Sequence, residues 1–404
     1  MSEKAKGNMM IAQSGGPSAV INQSLVGAVL EARKQTAIGR IFGSLHGIKG
    51  VLNDNLIDLR RESPANLEAV AATPSSALGS VRRKPSPEDC VKLFEVLKRR
   101  DVRFFFYIGG NDSAETAHII NQQASEAGYE LRCFHIPKTI DNDLRENDHT
   151  PGFGSAAQFV ACAMMGIDLD NRALPGVHIS VIMGRGAGFL TAASALARVR
   201  PDDGPHLVYL PERPFSPEAF VKDVEAVYGR LGRCMIAASE GIQNKDGAPI
   251  ASLYLKERDS HGNVQLSGSG ALGDMLSDLI KSKTKISRVR ADTFGYLQRS
   301  FPLTISRVDA VEARQVGRQA VKAAVGKFTS GSVAIRRKPG KKYQVTYEVV
   351  PLQNVAKETR SVPAEFISET GNDVTAAFLG YARPLVGTLP KIGHLKRVPV
   401  PKAS

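Results

Sequence analysis

A run of apolar and aromatic residues, Phe104 to Ile108, stops at the pair Gly109-Gly110 and gives way to Asn111-Asp112-Ser113. Continuous apolar runs of this length belong to strands covered on both faces, as in parallel sheets. Glycines directly after such a strand allow a tight turn and bring backbone N–H groups close to an anion. The pattern recurs. Met9 to Gln13 leads into Ser14-Gly15-Gly16-Pro17-Ser18-Ala19, and Leu131 to Ile136 into Pro137-Lys138-Thr139-Ile140-Asp141-Asn142-Asp143. Val177 to Met183 leads into Gly184-Arg185-Gly186-Ala187-Gly188, and Cys234 to Ala238 into Ser239-Glu240-Gly241. Leu207 to Leu210 is a further strand candidate. Helical spacing of apolar residues marks Ser155 to Ile167 and Asp309 to Val325. Strands alternating with helices predict an α/β fold, two-lobed and doubly wound, with mainly parallel sheets. Every chemically rich segment falls just past the carboxyl end of a strand, where open sheets of this kind bind ligands.

The chain has 404 residues, which predicts two lobes over 1–150 and 151–380, the first joined by part of 280–305. From 381 the prolines Pro384, Pro390, Pro399 and Pro401, mixed with lysines, predict an irregular tail. A net charge of +13 favours polyanionic partners. The charges are scattered, with small clusters at Arg82-Arg83-Lys84, Lys281 to Lys285 and Arg336-Arg337-Lys338. No basic arm interleaved with aromatics appears, so phosphorylated metabolites are expected rather than nucleic acid. Four widely spaced cysteines, Cys90, Cys133, Cys162 and Cys234, read as reduced thiols rather than zinc ligands or disulfides. No signal-peptide pattern and no stretch of ~20 apolar residues is present, so the expectation is a cytoplasmic protein without membrane contact.

The individual motifs each allow a plain reading. Ser14 to Ala19 could be an ordinary tight turn. It is neither a Rossmann glycine fingerprint nor a P-loop, and an oxidoreductase is disfavoured on that ground. Asp112, three residues before Glu115, could cap a helix; as a carboxylate in an anion site it would restrict which donor enters. Asp141 and Asp143 would share one face of an extended segment, or belong to an Asx turn, and Lys138 beside them favours chemistry. A lysine, a hydroxyl and two carboxylates within six residues can hold an anion, bind a divalent metal and move a proton.

Taken in order, these segments resemble the phosphofructokinase family, and within it the pyrophosphate-dependent branch. The matching residues are Ser14-Gly15-Gly16, Leu78 to Arg82, Gly109 to Ser113, Pro137 to Asp143, Met183-Gly184-Arg185, Ser239-Glu240-Gly241 and Gly295-Tyr296-Leu297-Gln298-Arg299. The resemblance implies a phosphofructokinase-like fold with a donor-phosphate lobe first and a sugar-phosphate lobe second. It implies transfer of a phosphoryl group to the 1-hydroxyl of fructose 6-phosphate, reversibly and as a step of glycolysis, in a homo-oligomer. Asp141 is then the general base, with Lys138, Asp112 and Arg185 completing the catalytic set. Thr139, Asp143, Met183, Gly184, Glu240, Tyr296 and Arg299 are expected on the sugar phosphate, and Arg290 is expected to reach across a subunit interface. Gly15, Arg82 and Gly110 are expected on the donor phosphate. Magnesium is the implied metal, with Asn111 as a ligand where the family generally has aspartate.

Two positions select the donor in that family. ATP-dependent members generally carry glycine where Asp112 and Lys138 stand here, and the pyrophosphate branch carries aspartate and lysine. Asp112 would block the space of a nucleotide α-phosphate, and Lys138 would add charge for a small polyanion. Many ATP-type members have histidine at the position of Tyr296, and His178 stands near the place of a further arginine. The alternatives are an ATP-dependent enzyme, an acceptor such as sedoheptulose 7-phosphate, and a non-catalytic sugar-phosphate-binding regulator that would need the cleft but not Asp141.

Overall fold

The computed structural model describes residues 5–82, 85–253, 270–340, 342–396 and 398–400. Arg83 and Lys84 of the first basic cluster lie outside the described residues. The strands are β1 (Gly7–Gln13), β2 (Ile38–Ser44), β3 (Leu56–Asp58), β4 (Val102–Gly109), β5 (Arg132–Pro137), β6 (Val177–Ile182), β7 (Leu207–Tyr209), β8 (Cys234–Ser239), β9 (Val289–Thr293), β10 (Ser330–Arg337) and β11 (Val345–Val350). They form a seven-stranded sheet, in the order β11-β10-β5-β4-β1-β2-β3, and a four-stranded sheet, β7-β8-β6-β9. The smaller sheet is parallel throughout, and the larger is parallel except at its edges, where β3 and β11 run antiparallel.

The aromatic run in β4 shows why it is a central strand. Phe104, Phe106 and Ile108 pack with the Ile21–Ala32 and Arg307–Val325 helices on one face. Phe105 and Tyr107 pack with the Pro87–Arg99 and Asn111–Glu126 helices on the other. Period-two alternation sends neighbouring residues to opposite faces, so a strand covered on both sides must be apolar throughout.

Strand pairing revises the expected division of the chain. β10 pairs with β5 through Ser330–Cys133, Gly331–Phe134 and Ser332–His135, so part of the stretch assigned to the second lobe lies in the first sheet. β9, expected to join the first lobe, pairs instead with β6 in the second sheet. A mid-strand in a parallel sheet needs neighbours on both sides, and β5 finds its second neighbour only in the returning chain. The tail also differs from expectation: the Ala376–Val386 helix runs past residue 381 and through Pro384. Ala382, Leu385 and Val386 are buried in the core around the Phe153–Ala173 helix, and this burial holds the turn despite the proline.

The helix after β4 starts at Asn111 with Gly110 as its N-cap and no side-chain cap. Asp112 therefore sits inside the first turn and does not cap it, so the expected capping box with Glu115 is not formed. Ser86 and Asp89 form a capping box at the start of the Pro87–Arg99 helix. Among the described residues no helix is long and apolar enough to cross a membrane.

The returning helix meets the first one backbone to backbone. A Cβ at Gly317 would lie 2.1 Å from the Ser24 carbonyl oxygen, and one at Gly27 would lie 2.2 Å from that of Arg314. Only glycine permits that approach, and a methyl group there must push the helices apart. Gly317→Ala is expected to cost about 1–3 kcal/mol or more through overpacking. Gly229, exposed in the Pro217–Leu231 helix with nothing near its missing Cβ, is the control. Gly229→Ala should stabilise by roughly 0.5–1 kcal/mol. Thermal and urea denaturation read both, and equal behaviour of the two variants would remove the close contact from the account.

Candidate active site

β1 lies between β2 and β4, so the chain leaves it first to one side and later returns on the other. That arrangement opens a crevice at the carboxyl ends of β1 and β4. Gly15 turns there with φ of 74°. Its N–H donates to the Val81 carbonyl at 3.3 Å, and Ser80 Oγ donates to the Gly15 carbonyl at 2.6 Å. These bonds stitch the Leu78 to Arg82 segment onto the turn and place Arg82 at the cavity. Beneath the next turn, buried His135 bridges Ser332 Oγ and the Gly109 carbonyl, each at 2.8 Å. Burial pushes its imidazole down to about 4, so it is neutral at pH 7 and donates through Nε2 to Gly109.

Lys138 follows β5. Its backbone N–H donates to the Gly109 carbonyl at 2.9 Å, and its Nζ donates to the Gly16 carbonyl at 2.6 Å. The side chain therefore crosses the mouths of β4 and β1. It is 4% exposed. Burial pushes the ammonium down to about 8, helped by the Arg299 charge and opposed by Asp141 and Asp143.

The loop from Thr139 to Asp143 is pinned tightly. Asp141 N–H donates to Thr139 Oγ1 at 3.1 Å. Buried Asn142 takes φ of 59°, a left-handed conformation that asparagine tolerates. Its Oδ1 accepts from Thr150 N–H at 3.0 Å and its Nδ2 donates to Tyr381 Oη at 2.8 Å. This turn separates the two aspartates. Asp141 lines the cavity and Asp143 does not. Burial raises the Asp141 pKa, with the Glu240 charge adding to the effect. Burial and the Asp141 charge raise that of Asp143.

The second sheet supplies the opposite wall. Ser239 Oγ donates to the Gly184 carbonyl at 2.7 Å and accepts from Gly241 N–H at 3.2 Å, which joins the loops after β6 and β8. Gly184 takes φ of 145°, and a Cβ there would lie 2.6 Å from the Ala187 carbonyl. Buried Gln298 accepts from Met183 N–H at 3.4 Å and donates to the Gly295 carbonyl at 2.8 Å, which ties in the segment after β9. Arg299 lies over the Tyr296 ring at 4.6 Å. A Cβ on Gly16 would lie 3.2 Å from its guanidinium carbon, so this arginine reaches the turn after β1. Burial and the Arg82 charge push the Arg299 pKa down.

These walls enclose a cavity of about 340 Å³ lined by Gly16, Pro17, Arg82, Asn111, Asp112, Lys138, Thr139, Ile140, Asp141, Met183, Arg185, Glu240 and Arg299. Four cations and three carboxylates face one space. Gly15, Gly110, Gly184 and Asp143 are not among the lining residues. Tyr296 is 49% exposed beside Arg299. Arg290 does not reach the cavity within one chain: it is exposed on β9, which borders the second sheet. His178 is also remote from it, paired with Asp292 at 3.1 Å near the start of β6. Sequence patterns missed Pro17 and Ile140, which sit inside motifs but carry no polar signal. They also missed Ser239 and Gln298 as knitting residues, and His135, whose role depends on a strand 197 residues away.

The donor set suits magnesium carried on phosphate. Asn111 Nδ2 donates to the Lys357 carbonyl at 3.3 Å, which leaves Oδ1 as its acceptor, and Asp112 is exposed on the next position. Mg²⁺ is typically held by one or two such oxygens and completed by phosphate and water. Among the described residues no group of three acidic, histidine or cysteine side chains forms a protein cage. All four cysteines are free.

The sequence profile of the family named Phosphofructokinase matches residues 8–324. A Rhodospirillum rubrum protein named pyrophosphate–fructose 6-phosphate 1-phosphotransferase is 56% identical over 384 residues, covering 95% of each chain. A Xanthomonas campestris protein of the same name is 38% identical over 98% of each chain. A crystal structure of a pyrophosphate-dependent phosphofructokinase from Marinobacter aquaeolei superposes with a TM-score of 0.85, at 32% identity and 98% coverage of both chains. With that match across both sheets and every loop of the cavity, the chain belongs to the phosphofructokinase family.

Proposed function

We propose that this enzyme transfers a phosphoryl group reversibly from pyrophosphate to the 1-hydroxyl of fructose 6-phosphate, giving fructose 1,6-bisphosphate and phosphate. The observation that carries the donor assignment is that Asp112 and Lys138 line the same cavity. The exposed Asp112 carboxylate repels a phosphate extending beyond the second, as ATP would require. The buried Lys138 ammonium adds a fixed charge for a compact donor. Gly110 supports the same reading: its φ is −86° and a Cβ there would meet no atom within 4 Å. Nothing in the chain itself requires glycine at this position, whereas close approach of an anion does.

Asp141 accepts the proton of the 1-hydroxyl as the oxygen attacks, and its raised pKa makes it a stronger base than an ordinary aspartate. Lys138 and Arg185 stabilise the charge on the group in transit. Thr139 and Asp143 shape the loop, Met183 and Gly184 set the sugar wall, and Glu240 accepts from sugar hydroxyls. Arg299, with Tyr296 beside it, holds the 6-phosphate. Gly15 and Arg82 hold the donor. Asn111 and Asp112 would hold magnesium carried on the donor, and the ion would supply charge neutralisation for the group in transit. Arg290, exposed on β9, serves a second copy of the chain in a homo-oligomer.

A coupled assay with fructose 6-phosphate and magnesium should show turnover with pyrophosphate and little with ATP. Comparable wild-type turnover with both donors overturns the donor assignment. Asp112→Gly should admit weak ATP-dependent turnover.

Asp141→Asn should keep both substrate affinities and lower kcat by about 10²–10⁴. Near-normal turnover would remove Asp141 from the proton transfer.

The pH profile of kcat/KM for pyrophosphate should be bell-shaped. Activity rises with pH as the Asp141–Asp143 pair loses its proton. It falls above pH about 8 as Lys138 loses its charge in the free enzyme. Lys138→Met should lower kcat/KM by roughly 10²–10³, matching the ~2.7–4 kcal/mol of a preorganised donor, and abolish the alkaline limb. An unchanged limb in that variant would assign it to another group.

A further inference from the structure

The loop that carries Asp141 is held by a residue far outside every motif. Arg360 Nε donates to the Asn142 carbonyl at 2.8 Å, Nη1 to the Asn147 carbonyl at 2.5 Å and Nη2 to the Asp148 carbonyl at 2.7 Å. Its backbone N–H donates to the Asp143 carbonyl at 2.8 Å. One residue thus gathers four carbonyl groups on both sides of the turn. Three of them accept from its guanidinium, whose fixed planar fork is suited to binding several acceptors at once. The Asn142 carbonyl is the critical one, because it belongs to the left-handed residue that separates Asp141 from Asp143. Isolated residues in that conformation persist only when their surroundings over-determine them.

The same segment also reaches the opposite wall. The Arg360 guanidinium lies 4.9 Å from the centre of the Phe189 ring, which directly follows the glycine loop carrying Arg185. Two residues on, Val362 N–H donates to Glu212 Oε1 at 2.8 Å, and that oxygen also accepts from Gly188 N–H at 2.9 Å. A carboxylate shared by two backbone donors, one from each segment, fixes their separation. Residues 360–362 are therefore joined to the base loop on one side and to the phosphoryl-binding loop on the other.

We propose that Arg360 is a positioning residue for phosphoryl transfer, and that residues 360–362 set the spacing between the Asp141 loop and the Arg185 loop. The inference rests on the reaction proposed above. Arg360 is not among the residues that line the cavity. It keeps the base aimed at the acceptor oxygen, and a misplacement of about 1 Å can cost 10²-fold in rate. Lysine at this position keeps the charge but cannot present the fork, so charge alone does not restore the geometry.

The test compares wild type with Arg360→Lys, Arg360→Gln and Arg360→Ala in the pyrophosphate assay, together with amide hydrogen exchange. Expected is a fall in kcat of about 10²-fold in all three, with both KM values near wild type. Millimolar guanidinium ion should restore part of the turnover of Arg360→Ala. Amides of residues 139–148 should exchange faster in Arg360→Gln, while those of β4 stay protected. Wild-type kcat in Arg360→Gln overturns the proposal, as does unchanged exchange over 139–148. Faster exchange across the whole chain with a lowered Tm also overturns it, since that marks a general structural role. If wild type itself shows no turnover with pyrophosphate, the proposed reaction falls, and the exchange measurement alone decides whether Arg360 holds the loop.

Discussion

The buried ammonium of Lys138 is the interaction on which the site depends. Removing a charge from water is costly unless it is met by acceptors and opposite charge. Here the Gly16 carbonyl accepts from it at 2.6 Å, and Asp141 and Asp143 supply the negative field. Those partners come from turns after two different strands, β1 and β5, with β4 between them. Meeting the lysine's requirement therefore forces the three turns into one geometry. It also explains why the ionisable groups are poised away from their ordinary values. Lys138 and Arg299 are pushed down and Asp141 is pushed up because they share a space partly shielded from water. A polyanionic ligand entering that space favours the charged form of both cations.

The second requirement is that two sheets face each other at their carboxyl ends. The chain achieves this by crossing back: the Arg307–Val325 helix returns to the first lobe and packs so closely on the Ile21–Ala32 helix that Gly27 and Gly317 touch backbone. β10 then completes the first sheet beside β5 and delivers Ser332 to His135. The C-terminal stretch crosses between the walls, with Arg360 and Tyr381 bonded to the Asp141 loop and Val362 linked through Glu212 to the Arg185 loop. The cavity is lined by the first 300 residues, but its alignment is completed by the last hundred.

Much of the fold was legible because apolar strands and glycine turns are local signals. The runs around β1, β4, β5, β6, β7 and β8 are each marked by their own residues, as is the Arg307–Val325 helix. β2 was not, since Gly39, Arg40 and Gly43 break its apolar pattern. β10 was not, because its strand character comes from pairing with β5 and β11. Asp112 read as a cap because capping is inferred from spacing, and a helix that begins two residues earlier, with Gly110 as its N-cap, changes its role.

By itself the sequence determined which side chains could do chemistry and in what order they occur: glycine turns, the Lys138 to Asp143 cluster, Arg185, Glu240 and Arg299. Those follow from residue type and from positions just beyond strands, both of which are local properties. Only the tertiary structure decided that Asp141 lines the cavity while Asp143 does not, that Arg299 reaches Gly16, and that Arg290 does not reach the site within its own chain. It alone revealed His135, Glu212 and Arg360 as supports. Each of these outcomes depends on contacts between segments distant in sequence, and the directions of buried hydrogen bonds are set by packing, which no local pattern encodes.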